Sequence, residues 1–191
     1  MNKMKCLIVG LGNPEGKYFQ TWHNLGFLAV EKLGPTLEWK KRGNQLVAKM
    51  GNALLLKPLT YMNRSGEAVV ALARKQGIPP ENIIVLVDDL YIDKGHIRVA
   101  RGGSGGGHNG LRSINQLLGS NQYIKIRIGI KPEKPPYSLA SYVLDKIPTE
   151  ERTLIDEAIN KAVEATQQLL SGMLLDRVQQ VYNSKNQVTG G

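Results

Sequence analysis

Short apolar runs alternate along the chain with segments of helical periodicity. Apolar runs predict strands at residues 6–9, 53–56 and 83–87 and over the segment 124–130, and several of them are apolar enough to be buried on both faces. Apolar residues at helical spacing predict helices at residues 25–33, 62–76, 109–118, 149–170 and 173–182. Gly77 is predicted to end the second helix and Thr149 to cap the fourth. The alternation of strands and helices predicts an α/β fold.

The order of these elements predicts one domain built on one mixed sheet. Lys94 and Gly95 precede a further apolar run at residues 97–100, so the chain can reverse there and add an antiparallel strand. A chain of 191 residues is typical of a single domain. We therefore expect a single-domain mixed β-sheet flanked by α-helices over residues 1–183. The polar segment 184–191 is predicted to be a disordered tail.

The chain is strongly basic. It has 25 Lys and Arg against 16 Asp and Glu, a formal charge of +9 and a sequence pI of about 9.7. This balance favours a polyanionic partner such as nucleic acid, although excess lysine can also serve solubility alone. Basic residues gather at positions 40–42, 98–112 and 127–134. These groups could follow a phosphate backbone or form a solvated face.

The composition also indicates a compartment. The single cysteine, Cys6, lies in an apolar run and cannot form an intrachain disulfide, which favours a reducing compartment. No apolar stretch approaches the roughly 18 residues that span a bilayer, and the first predicted strand leaves no room for a signal peptide. We therefore expect a cytoplasmic protein with no membrane partner.

Two glycine-rich turns carry candidate binding residues. Gly10-Leu11-Gly12 follows the first apolar run, but Glu15 stands where the third glycine of a dinucleotide-binding motif would fall. Asn13 then either lies at the ligand-binding edge of the sheet or forms an Asx-turn before Pro14.

The second glycine-rich segment, residues 102–107, precedes His108 and Asn109 at the start of a predicted helix. It could cradle a phosphate, but it lacks the Gly-Lys-Ser/Thr ending of a P-loop, so NTP hydrolysis is not expected. A merely flexible loop and a mobile lid have the same composition. Asn109 could also act as a helix cap.

His23 and Asp88 are candidate catalytic residues. Thr21 is predicted to cap the helix that follows, which places His23 in its first turn. There the helix dipole disfavours imidazolium and leaves the neutral form that a general base requires, although an isolated histidine is more often a surface or capping residue. Asp88 and Asp89 end the third apolar run, where one of them could orient the imidazole or both could form a turn. Two carboxylates without cysteine or clustered histidine do not predict a metal site.

Six short motifs extend this picture: Gly-Leu-Gly-Asn-Pro, Thr-x-His-Asn-x-Gly, Met-Asn-x-Ser-Gly, Val-Asp-Asp-Leu, Gly-Gly-His-Asn-Gly-Leu and Arg-Ile-Gly-Ile. They occur in the order seen in bacterial peptidyl-tRNA hydrolases, and the sequence resembles that family over nearly its whole length. The resemblance implies an α/β monomer that cleaves the ester between a peptide and the 3′ end of tRNA, recycling tRNA from aborted translation without metal or cofactor.

The resemblance also implies roles for individual residues. His23 would be the general base and Asp88 its orienting carboxylate. The side-chain amides of Asn13, Asn63 and Asn109 would bind the substrate. Tyr18 and Met62 would line the pocket. The basic clusters named above predict contacts to phosphates of the acceptor stem and 3′ end through Arg98, Arg101, Arg127 and Lys134, with Arg98 or Arg101 in place of the basic residue that the family has before the glycine loop.

The sequence departs from the family pattern at Trp22, where arginine is more usual, and at Tyr91, where an acidic residue is usual. These departures concern tRNA docking rather than bond cleavage. The competing interpretation is a non-enzymatic RNA-binding protein on the same fold, such as the plant intron-splicing factors, which would bind structured RNA and leave peptidyl-tRNA intact. A dinucleotide-dependent enzyme is a third interpretation.

Overall fold

The structure, a computed structural model, describes residues 5–183. In chain order its elements are β1 (Cys6–Gly10), α1 (Leu25–Leu33), β2 (Lys40–Arg42), β3 (Gln45–Met50), β4 (Ala53–Pro58), α2 (Ser65–Gln76), β5 (Ile83–Asp93), β6 (Ile97–Arg101), α3 (Asn109–Leu118), β7 (Ile124–Lys131), α4 (Leu139–Tyr142), α5 (Arg152–Leu170) and α6 (Leu175–Tyr182). Short 3-10 turns precede three of the helices, at Trp22–Asn24, Met62–Arg64 and Thr149–Glu151.

The strands form one mixed sheet in the order β2-β3-β4-β1-β5-β7-β6. The four central strands β4, β1, β5 and β7 are parallel, whereas β2, β3 and β6 pair antiparallel with their neighbours. The predicted mixed α/β sheet flanked by helices is therefore confirmed. The carboxyl ends of the four parallel strands meet at one edge, called the carboxyl edge below, which is where open α/β sheets bind ligands.

Helices cover both faces of the sheet, and each face has its own core. On one face, called the α1 face, the sheet packs against α1, α5 and α6 through residues such as Ile8, Leu86 and Ile126, with α6 on the edge strand β6. On the other, called the α2 face, they pack against α2 and α3 through residues such as Val9 and Val85. Strands covered on both faces explain the consecutive apolar positions in the sequence.

Several boundaries differ from the sequence-based expectation. Strand β5 does not end at Asp88 and Asp89 but continues to Asp93, with an irregularity in its pairing to β7 after Asp89. The cap expected at Thr149 is wrong, because Pro148 holds the N-cap position there and no side chain caps the turn. Thr21 holds the N-cap position of the turn that contains His23, as expected, but its hydroxyl donates to the Tyr18 carbonyl and does not cap that turn.

The hairpin formed by β2 and β3 was not predicted. Residues 40–42 are all charged and exposed, so they carry no apolar run. Among residues 5–183, no helix combines the length and apolar character that a bilayer-spanning segment requires. The tail expected at residues 184–191 lies outside the described residues.

Candidate active site

The buried carboxylate of Asp88 joins two histidines at the carboxyl edge. His23 Nδ1 lies 2.8 Å from Asp88 Oδ2, and His108 Nε2 lies 3.0 Å from Asp88 Oδ1. The two imidazole rings are 4.8 Å apart between centroids. The pair of residues predicted as catalytic, His23 and Asp88, is therefore brought together, and a second histidine joins them.

Close backbone packing places His23 beside Asp88. The N–H of Leu11 donates to the carbonyl of Leu86 on β5, and the N–H of Phe27 on α1 donates to the carbonyl of Leu11. A Cβ on Gly26 would overlap the backbone of both Leu11 and Leu86. Glycine is therefore required for α1 to approach this closely, and the approach carries the turn that bears His23 to the end of β1.

The hydrogen bonds of His108 fix its tautomer. Its Nδ1 accepts from the N–H groups of Gly110 at 3.1 Å and Leu111 at 3.4 Å, so it serves as the N-cap of α3. A nitrogen that accepts carries no proton, so Nε2 holds the proton and donates it to Asp88. The capping role proposed for Asn109 therefore belongs to His108.

The same carboxylate fixes the tautomer of His23. Asp88 accepts a hydrogen bond at each oxygen, so His23 Nδ1 donates and its Nε2 remains an acceptor. His23 and Asp88 both line a cavity of about 310 Å³, together with His108 and Asn109. A water in this cavity could give a proton to His23 Nε2, which is the arrangement of a general base held by a carboxylate.

Burial and charge act in opposite directions on the pKa values of this pair. Burial disfavours an ionised Asp88, but the two imidazoles outweigh it and hold the pKa of that carboxyl well below its usual range. Burial also disfavours an imidazolium at His23, but the charge and hydrogen bond of Asp88 outweigh it and raise the pKa of His23. The sequence-based expectation that the helix dipole would dominate at His23 is therefore wrong, because a carboxylate in direct contact is the stronger influence.

Asn13 ties three segments together beside this centre. Its Oδ1 accepts from the N–H of Met62 at 2.9 Å, and its own N–H donates to Asn24 Oδ1 at 2.8 Å. The side chain of Asn24 also donates to the Asn13 carbonyl at 3.0 Å. These contacts cross 49 and 11 residues of sequence, so Asn13 does not form the local Asx-turn that was the alternative. Since Oδ1 is occupied, the amide Nδ2 is the group left to donate to a substrate.

The other residues predicted to bind substrate differ in burial and in whether they line the cavity that holds His23. Met62 is buried and packs in the core of the α2 face, and Asn63 beside it is exposed. Tyr18 is partly exposed in a separate 3-10 turn, and neither Tyr18 nor Asn63 lines the cavity that holds His23. Only Asn109 of the substrate-binding set lies in the wall of that cavity.

The four residues predicted to contact phosphates lie in three different places. Arg98 and Arg127 are opposite each other on β6 and β7, so their side chains project from the same face, and Arg127 lines the catalytic cavity. Arg101 projects from the opposite face, and its guanidinium donates to the carbonyls of Glu81 and Gln122. Lys134 is exposed in the segment that follows β7. The structure therefore places Arg127 in the cavity wall, where it pairs with Asp89 at 3.0 Å, and Arg98 beside it on the neighbouring strand but outside the cavity lining. It does not bring Arg101 there.

The glycine-rich segment 102–107 leads from β6 to His108. Two side chains of β7 donate hydrogen bonds to its backbone carbonyls. Lys125 Nζ donates to the Gly102 carbonyl at 2.6 Å, and Arg127 donates to the Ser104 carbonyl at 3.1 Å. Burial lowers the pKa of Lys125 to about 8, and the nearby charge of Arg127 adds to the effect. Gly105, Gly106 and Gly107 form part of the cavity wall, so this segment covers one side of the cavity that holds His23 and Asp88.

The spatial clustering of histidines changes the sequence-based view of metal binding. His23, Asp88 and His108 offer ligand atoms within 4.8 Å of one another, although the sequence had suggested no clustered histidine. The ring nitrogens that face Asp88 are the ones assigned as N–H donors, so a metal there would have to replace both protons. The arrangement therefore suits a hydrogen-bonded triad better than a metal centre.

The two departures from the family pattern occupy different surroundings. Trp22 is buried, stacks on Tyr142 with ring centroids 5.6 Å apart, and lies under the ammonium of Lys94. It therefore contributes to the core, and the expectation that it concerns tRNA docking is wrong. Tyr91 is 73% exposed at the rim of the catalytic cavity, where it can meet a ligand.

His108 and Asn24 are the candidate site residues that sequence reasoning missed. Both lie inside motifs that were noticed, directly beside residues that were selected. His108 follows two glycines and precedes a helix, and this position is consistent with a capping side chain, which was assigned to Asn109 instead.

Comparison with known proteins identifies the family. The family model described as "Peptidyl-tRNA hydrolase" matches residues 7–189. The peptidyl-tRNA hydrolase of Gloeobacter violaceus is 41% identical over 188 residues, covering 94% of each chain, and that of Chlorobaculum tepidum is 43% identical over 164 residues, covering 83% of this chain and 88% of the relative. The crystal structure of peptidyl-tRNA hydrolase from Acinetobacter baumannii superposes with a TM-score of 0.84 at 36% identity, covering 97% of this chain and 96% of the other. The chain therefore belongs to the peptidyl-tRNA hydrolase family.

Proposed function

We propose that this protein hydrolyses the ester bond between the peptide and the 3′ end of tRNA in peptidyl-tRNA, and thereby recycles tRNA from aborted translation. The observation that carries the proposal is the buried contact of Asp88 with His23 inside a cavity at the carboxyl edge. Membership of the peptidyl-tRNA hydrolase family supports the substrate.

In the proposed reaction, His23 Nε2 takes a proton from a water as the water oxygen attacks the ester carbonyl carbon. Asp88 keeps His23 in the required tautomer and stabilises the imidazolium that forms. The resulting tetrahedral oxyanion needs donors, and the amide Nδ2 groups of Asn13 and Asn109 are of the right chemical type. The carbon–oxygen ester bond then breaks, and the imidazolium returns its proton to the ribose oxygen of the leaving tRNA.

The same amides account for the substrate preference that we propose. Contacts to the peptide backbone tolerate many side chains, because every peptide presents the same N–H and carbonyl groups. A free aminoacyl-tRNA lacks the first peptide bond, and a site built to pair with that bond discriminates strongly against its absence.

The proposal also covers the domain organisation, oligomeric state, compartment and tRNA contacts of the protein. We propose that residues 1–183 form one catalytic domain that acts as a monomer in the cytoplasm and contacts the acceptor stem and 3′ end of tRNA. Exposed Arg98, on the strand next to the one that carries Arg127, supplies positive charge near the cavity, whereas Arg127 in the cavity wall is paired with Asp89.

The experiment incubates the purified protein with N-acetyl-aminoacyl-tRNA and with free aminoacyl-tRNA and follows release of label from the 3′ end. We expect cleavage of the acetylated substrate and little cleavage of the free one. Tight binding of structured RNA with neither substrate cleaved would contradict the proposal and would support the RNA-binding interpretation.

A further inference from the structure

A groove lined by positive charge lies away from the cavity that holds His23 and Asp88. It has a volume of about 440 Å³ between the β2–β3 hairpin and the C-terminal half of α2. Its cationic side chains are Lys40, Arg42, Lys49 and Lys75, against one acidic side chain, Glu38.

Strand alternation explains why these charges collect on one side of the hairpin. Lys40 and Arg42 are two residues apart on β2, so both project from the α2 face, whereas Lys41 between them projects from the α1 face. Lys49 pairs with Leu54 of β4, whose side chain lies in the core of the α2 face. The groove is therefore basic along its rim and apolar at its floor.

The cations of the groove are available to a ligand. Lys40, Arg42, Lys49 and Lys75 are all exposed, and within residues 5–183 none of them has an ion pair at or below 4.0 Å. The groove thus holds an excess of about three positive charges that neighbouring carboxylates do not neutralise. Charge of this kind is complementary to a phosphodiester backbone.

The position of the groove relates it to the catalytic site. It opens on the α2 face, which is also the face from which Arg98 and Arg127 project, and it lies on the other side of helices α2 and α3 from them. Strand β3 is three strands from β5, or about 14 Å from the strand that carries Asp88 at ordinary strand spacing.

We propose that this groove, formed by the β2–β3 hairpin and α2, is a second binding surface for the phosphates of the substrate tRNA. It binds backbone regardless of sequence and anchors the tRNA on the side of the site opposite Arg98 and Arg127. The inference rests on the proposed function, since it takes peptidyl-tRNA as the ligand.

A matched pair of double variants tests the groove. Arg42→Gln with Lys75→Gln removes one arginine and one lysine from the groove, and Lys41→Gln with Arg74→Gln removes the same charges from the same strand and helix but outside it. All four side chains are exposed, so both proteins are expected to fold, and equal thermal midpoints verify this. The substrates are N-acetyl-aminoacyl-tRNA and the N-acetyl-aminoacyl ester of adenosine, which is too short to reach the groove.

We expect the groove variant to raise KM for the full-length substrate by about tenfold at about 50 mM salt with kcat unchanged. The slope of log KM against log salt concentration should fall by about 2, one unit for each lost phosphate contact, whereas the control variant should stay within about twofold of wild type. Both variants should cleave the adenosine ester as the wild type does. An unchanged KM and slope in the groove variant, or equal changes in both variants, would overturn the proposal. If the wild-type protein cleaves neither N-acetyl-aminoacyl-tRNA nor the adenosine ester, the proposed function itself is wrong.

Discussion

His23 Nδ1 lies 2.8 Å from Asp88 Oδ2, and the carboxylate at this contact is almost completely buried. The contact has two effects, because it selects the tautomer of His23 and raises its pKa. A raised pKa keeps His23 protonated to a higher pH, and a protonated imidazole cannot accept a proton from water.

The activity should therefore rise with pH through the pKa of His23. We expect kcat/KM to increase through a midpoint above about 6.5, the ordinary value for histidine. Asp88→Asn removes the charge that favours imidazolium and leaves the burial that opposes it, so the midpoint should move down. The plateau rate should fall by about 100-fold or more, because the tautomer of His23 is no longer fixed.

Asp93→Asn, which changes an exposed carboxyl on the same strand, is the control and should leave the pH profile unchanged. An identical midpoint in Asp88→Asn would contradict this electrostatic account.

The two roles of His108 can be separated by two substitutions. His108→Ala removes both the cap of α3 and the donor to Asp88, so we expect a loss of about 1 kcal/mol in the free energy of unfolding and a fall in kcat of about 10- to 100-fold. Asparagine is a good cap but too short to reach Asp88, so His108→Asn should recover stability without recovering kcat. Urea denaturation and steady-state kinetics measure the two effects. Recovery of kcat in His108→Asn would show that only the cap matters.

A substitution at Gly26 tests whether the close approach of α1 to β1 and β5 positions His23. Gly26→Ala puts a Cβ into the backbone of Leu11 and Leu86, which cannot move without disturbing β1 and β5, so we expect a loss of about 2–3 kcal/mol in the free energy of unfolding. Gly16→Ala is the matched control, because nothing lies within 4 Å of the added Cβ. Urea denaturation of the control should agree with wild type within about 0.5 kcal/mol. Equal stabilities for the two variants would contradict the packing argument.

Asn13 and Asn109 should behave differently although both are assigned to substrate binding. Asn13 is buried and accepts from the Met62 N–H, so Asn13→Ala leaves a buried donor unpaired and should lower both kcat/KM and stability, the latter by about 1–3 kcal/mol. Asn109 is exposed in the cavity wall and is not the helix cap, so Asn109→Ala should lower kcat/KM with stability within about 0.5 kcal/mol of wild type. An unchanged kcat/KM in Asn109→Ala would remove its assignment to substrate binding.

The central sheet was predictable because its strands are buried on both faces. Ile83, Val85 and Val87 point to one face and Ile84 and Leu86 to the other, so every position is apolar. The β2–β3 hairpin lies at the edge, where one side of the backbone faces water and charged residues suffice. Glycine at positive φ followed by asparagine at residues 43–44 and 51–52 is a hairpin signal that could have located it.

The site was predictable in part for a related reason. Residues that follow apolar runs, such as Asn13 and Asp88, lie at the carboxyl edge of the sheet. The sequence motifs indicate which of these residues are candidates for the site. The bond between His108 and Asp88 joins residues 20 positions apart across the end of β5, strand β6 and the glycine-rich segment 102–107, and no local pattern encodes it. The failure of Arg101 to reach the site follows from strand alternation on β6, which the sequence could have supplied once Arg98 was assigned to one face.

The central claim is that His23 activates water while other groups hold the tRNA. The most direct test measures, on the same preparations, the single-turnover cleavage of N-acetyl-aminoacyl-tRNA and its dissociation constant for wild type, His23→Ala and the control His96→Ala. We predict that His23→Ala loses at least about 1,000-fold in cleavage rate, keeps the Kd within about threefold, and differs in this from His96→Ala, which cleaves normally. Cleavage by His23→Ala at the wild-type rate would show that His23 is not the base, and the assignment of the catalytic centre would then be wrong.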